Sequence, residues 1–63
     1  MKYTKLTANT VADLANLPLV ALCETFEANH ACTCNRADFF RFYGDRRVLD
    51  AYILDRHLIV AIA

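Results

Sequence analysis

Serine, glutamine and tryptophan are missing from this chain of 63 residues. Without serine, every mechanism built on a serine nucleophile is excluded. Glycine and proline occur once each, which leaves no Gly-rich phosphate loop, flexible linker or proline-rich segment. There is no charge of one sign to spare: seven Lys and Arg balance seven Asp and Glu, for a net charge of zero. The basic excess with which nucleic-acid binders neutralise phosphates is therefore lacking. Long apolar runs are lacking too. The longest, Leu58 to Ala63, falls far short of the roughly 20 residues that cross a bilayer as a helix. Lys2 and Lys5 are not followed by an unbroken apolar stretch before Asp13, so no signal peptide is expected. Three cysteines with no export signal predict reduced thiols and a cytoplasmic setting.

What remains is strongly apolar, at 57% of residues. The length predicts a single domain over residues 1–63. A domain this small buries only about 60% of the surface its unfolded chain exposes, so part of the apolar surplus is expected outside the core. A core and a water-excluding pocket compete for the same few residues, and no enzyme activity is expected. The charge is slightly skewed, with all five arginines from Arg36 onward.

Along the chain, alternation over residues 2–6 predicts a strand with Tyr3, and Met1 before it, facing inward. Thr10 and Asp13 have the spacing of a capping box, and Val11, Leu14 and Ala15 share one face of the helix that follows. Leu17 precedes Pro18, where that helix should stop. Pro18 suits the start of a second helix, with Leu19, Leu22, Cys23 and Phe26 at i, i+3, i+4 and i+7, ending near Asn29 and His30. Asn35 caps a third helix, with Phe39, Phe42 and Tyr43 inward, Phe40 outward and Gly44 as a left-handed terminator. Residues 47–54 alternate as a strand, with Leu49, Ala51 and Ile53 on one face, although Val48, Leu49, Tyr52 and Ile53 also fit a helix. A turn at Asp55-Arg56 then leads into the terminal apolar strand, expected at the centre of the sheet. The predicted fold class is α+β: three short helices packed on a small antiparallel sheet, in the order β-α-α-α-β-β.

That order resembles the Cro-type phage repressors in topology. The resemblance implies a helix-turn-helix dimer whose recognition helix turns polar and basic side chains to base edges. The third predicted helix, from Arg36 to Tyr43, is aromatic instead, and no DNA-contacting residue is carried over.

Three constellations bear on chemistry. His30, Cys32 and Cys34, with Cys23 or His57 as a fourth ligand, have the donor types of a zinc site. One residue between Cys32 and Cys34 is closer than structural zinc pairs use, so a zinc-stapled mini-domain ranks last, and no cofactor is expected. A cysteine nucleophile with His30 or His57 as base would need a thiolate that sequence does not reveal. The segment from Arg36 to Arg47 mixes arginines with Phe39, Phe40, Phe42 and Tyr43. Such a mixture serves protein hot spots and single-stranded nucleic acids alike, and neutrality favours a protein. The expected function is thus a non-enzymatic interaction module, an inhibitor or adaptor of phage or mobile-element type. A small helix-turn-helix-like nucleic-acid-binding regulator is the alternative. Phe40, Arg41, Arg47 and Tyr52 are the expected partner contacts. Tyr52, Leu54, Leu58 and Val60 are the expected self-association residues of a homodimer.

Overall fold

The computed structural model describes residues 3–33 and 35–63, together with every side chain among them except that of Thr33. Met1, expected to face inward, and Cys34, a candidate metal ligand, lie outside the described residues. The chain runs β1 (Tyr3–Leu6), α1 (Val11–Leu14), a 3-10 turn (Val20–Leu22), β2 (Thr25–Ala28), β3 (Ala31–Thr33), α2 (Arg36–Tyr43), β4 (Val48–Leu54) and β5 (His57–Ile62). The five strands form one mixed sheet in the order β1-β4-β5-β2-β3, with β2 parallel to β5 and the other pairs antiparallel.

This overturns the expected three helices and purely antiparallel sheet. The second predicted helix does not form. Only the 3-10 turn is helical there, and residues 25–33 make a hairpin. The same residues satisfy both periods, but Thr25-Phe26-Glu27-Ala28 alternates along the strand, burying Phe26 and Ala28. The stripe expected to be buried is inverted at its start, with Leu19 and Leu22 exposed and Val20 fully buried. A two-residue connection brings Ala28 opposite Ala31. Asn29 and His30 both have positive φ, at 49° and 73°, as a type I′ hairpin turn requires. Asn29 also extends the ladder. Its side-chain amide donates to the Ile62 carbonyl and accepts from the Ile62 N–H, each at 3.0 Å.

With two strands between α1 and α2, the helix-turn-helix arrangement is absent, and so is the basis for the Cro-type resemblance. Other expectations hold. The Asp13 carboxylate accepts from the Thr10 N–H at 3.2 Å, and Val11 and Leu14 are fully buried. Asn35 caps α2 by accepting from the Asp38 N–H at 3.1 Å. Gly44 differs, with right-handed φ of −54°. It is required by close approach instead, since a Cβ there would collide with the Phe40 carbonyl oxygen. The Ala12 N–H donates to the Gly44 carbonyl at 2.9 Å, tying α1 to the end of α2.

β5 is central, between β4 and β2, as expected. Its Leu58, Val60 and Ile62 join Phe26, Ala28, Ala51 and Ile53 on one face of the sheet, and Val11, Leu14, Val20 and Phe39 complete the core from the helical layer. The register stacks Thr4, Ile53, Leu58 and Phe26 in one row of this face, and Leu6, Ala51, Val60 and Ala28 in the next. Tyr3 therefore faces outward, 60% exposed, against the expectation. Leu6 lies three positions along the strand, an odd step, so both cannot face the core. A register irregularity between Val48 and Asp50 turns Leu49 out of the row of Ala51 and Ile53, leaving it 66% exposed. No helix among the described residues is long and apolar enough to cross a membrane.

Candidate interaction surfaces

The four expected partner contacts do not meet. Phe40 packs inward, its ring 5.9 Å from Phe26 and 5.2 Å from Phe39, with the Arg36 guanidinium 5.3 Å over its face. Arg41 is exposed on α2 and paired with Asp38 at 2.8 Å. Arg47 is exposed at an isolated bridge to Thr10. Tyr52 lies across the sheet from the helices, half-buried, with its ring 5.2 Å from Tyr3. The expected self-association set is divided as well. Leu58 and Val60 are core residues, 0% and 2% exposed, whereas Tyr52 and Leu54 remain accessible on the outer face.

Phe42 is the residue that sequence reasoning misplaced. Expected inside, it is 74% exposed. The inward stripe of α2 is Arg36, Phe39, Phe40 and Tyr43, spaced i, i+3, i+4 and i+7, with Phe39 buried and the other three half-buried. Arg36 belongs to it because its head reaches the Ala15 carbonyl at 3.1 Å while its plane covers Phe40. Had an arginine been admitted to the apolar face, the pattern would have pushed Phe42 out. Phe42 stands against Tyr43, with ring centroids 6.0 Å apart. With Ala31, Cys32, Phe39 and Asp38 they line a cleft of about 230 Å³ between α2 and β3. A larger cleft of about 480 Å³ lies between the 3-10 turn and the β4–β5 turn, lined by Leu19, Leu22, Cys23, Ile53 and Arg56 among others.

The described cysteines make contacts of their own. The Cys23 thiol donates to the Leu19 carbonyl at 3.6 Å, and burial pushes its pKa up from 9.0, with Arg36 pulling partly the other way. It is held as a thiol rather than activated. The Cys32 thiol donates to the Glu27 carboxylate at 3.2 Å, and His57 Nδ1 meets the Thr25 hydroxyl. Among the described residues, no three His, Cys, Asp or Glu side chains gather as a metal site.

Among the described residues, no helix covers the outer face of the sheet. One row reads Lys5, Tyr52, Ile59, Glu27 and Cys32 from edge to edge, and the next Tyr3, Leu54, His57 and Thr25. Tyr52, Leu54 and Ile59 are only half-buried there. Lys5 and Asp50 form an exposed pair at 3.6 Å. The molecule is thus a two-layer α+β domain with one open sheet face. No protein-family model matches it, and neither does any curated protein or solved structure.

Proposed function

We propose that this chain is a non-enzymatic protein-interaction module, an inhibitor or adaptor that occupies the surface of a partner protein through the exposed flank of α2. The observation that carries this is Phe42, 74% exposed at the lip of an apolar cleft. Single exposed apolar residues are ordinary. A large aromatic beside an unfilled apolar cleft is the form an interface anchor takes. Arg41 adjoins it, supplying the polar rim that such anchors use.

The arginines support a protein partner over a nucleic acid. Arg36 is bound to the Ala15 carbonyl, Arg41 to Asp38, Arg46 to the Ala63 carbonyl and Arg56 to Glu24. A chain with no net charge lacks the basic excess that phosphate binding draws on. The cysteines suit a reducing, cytoplasmic setting, where thiols persist.

The test compares the chain with its Phe42→Ser variant as bait in lysate of the native host, both checked by circular dichroism. Proteins held by the first and released by the second, at equal thermal stability, are the expected result. Identical capture by both, or retention on a mixed-sequence oligonucleotide that falls steeply with log salt, would overturn the reading.

A further inference from the structure

We propose that the open sheet face is covered by a second copy of this chain, packed face to face about a two-fold axis parallel to β5. This surface lies on the side of the sheet opposite the helices and shares with the Phe42 cleft only Cys32, on the edge strand β3.

Its centre is apolar, with Ile59 and Ala61 on β5 beside Tyr52 and Leu54 on β4. Ile59 lies in the middle of a five-residue row. Across that row the charge is asymmetric. Lys5 stands at the β1 end, and Glu27 with the Cys32 thiol stands toward the β3 end. Sheets facing each other lie about 10 Å apart, with strands spaced by about 4.8 Å.

Two arrangements of two equal sheets keep the strands aligned. A two-fold axis perpendicular to the strands sets β1 on β1 and β2 on β2, so Lys5 opposes Lys5 and Glu27 opposes Glu27. Both like-charge contacts are unfavourable. An axis parallel to the strands, under β5, reverses the order of the partner's strands. Ile59 then meets its own copy. Lys5 of each chain lies over the partner's Cys32, one strand spacing from the partner's Glu27. A lysine side chain spans that offset. The exposed pair with Asp50 is no obstacle, because Asp50 keeps the Ala51 N–H at 3.0 Å and exposed pairs hold weakly. With the axis under this row, the face is self-complementary only when that axis runs parallel to the strands.

The area is that of a weak contact. The molecule measures 29 × 22 × 21 Å, and the face is roughly 20 Å on a side from strand spacing and rise. Two such faces remove about 800 Å² from solvent, below the roughly 1,000 Å² of a specific stable interface and in the range of weak, transient association. The expected dimer is a weak one that forms in the micromolar range.

Analytical ultracentrifugation across micromolar concentrations tests this. The wild-type chain should pass from monomer to dimer, and Ile59→Glu should stay monomeric with an unchanged circular dichroism spectrum. Lys5→Glu and Glu27→Lys should each weaken association by about tenfold, and the double variant should restore it. Lys5 is exposed and Glu27 half-buried, both on the face away from the helices, so these variants keep the core intact. A wild-type monomer at the highest concentration would overturn the proposal. So would Ile59→Glu dimerising like wild type, or a double variant as weak as the single ones. Phe42→Ser should dimerise normally, so a failure here leaves capture through the α2 cleft to stand or fall by itself.

Discussion

At the scale of single residues, Asn29 has the widest consequences. It sits in the left-handed region, which asparagine tolerates better than most residues, and its amide replaces a strand residue opposite Ile62. Two substitutions separate these roles. Asn29→Gly keeps the backbone conformation and loses two hydrogen bonds, which should cost about 1–2 kcal/mol. Asn29→Ala loses the bonds and adds about 1 kcal/mol or more of left-handed strain. Urea denaturation should rank wild type, Gly and Ala in falling order, and an equal cost for the two variants would remove the backbone contribution. Gly44, by contrast, serves closeness rather than handedness, a distinction its φ of −54° reveals and its letter does not.

At the scale of elements, local signals and tertiary demands separate. The capping residues Thr10 and Asn35 were legible because a cap is a local hydrogen bond, complete within four residues. The β4–β5 hairpin was partly legible because Ala51 and Ile53 on one strand, and Leu58 and Val60 on the other, repeat with period two. Residues 18–28 were not. Leu19, Leu22, Cys23 and Phe26 have helical spacing, yet Thr25 and Phe26 also favour a strand, and a parallel partner in β5 decided for the strand. That partner is 32 residues away, where no window of local periodicity reaches. α2 gives a sharper case, since its inward stripe includes Arg36. Phe40→Ala should therefore cost about 2–3 kcal/mol through lost aromatic packing, and Phe42→Ala no more than about 0.5 kcal/mol. Thermal melts of both variants check this, and a reversed order would contradict the stripe.

For the whole molecule, the consequence is a one-sided sheet. Every core side chain of the strands points to the helices, and β5 carries both sets: Leu58, Val60 and Ile62 inward, Ile59 and Ala61 outward. Leu58→Ala should cost about 2–5 kcal/mol, a large fraction of the roughly 5–15 kcal/mol available to a small domain. Ile59→Ala should leave the monomer nearly as stable. Chemical denaturation at low concentration, where association is negligible, measures both, and equal losses would mean that the outer face is covered within the monomer. Of the candidate surfaces, sequence reasoning reached the apolar terminal strand and the aromatic third helix. It missed Phe42 and the Lys5-to-Glu27 row, because a row is assembled by register among strands distant in sequence.

The sequence by itself determined the neutral charge, the missing serine chemistry and the two caps, because composition and nearest-neighbour hydrogen bonding are local, and it left residues 46–57 open between strand and helix. Only the tertiary structure decided which period residues 18–28 obey, which aromatic of α2 stays outside, and that the unbroken apolar run at the C-terminus has an uncovered side. Those outcomes depend on burial against distant partners, and burial is a property of the assembled layers rather than of any segment. The scarcity of glycine and charge excess removed whole classes of function; the placement of what remained supplied two surfaces.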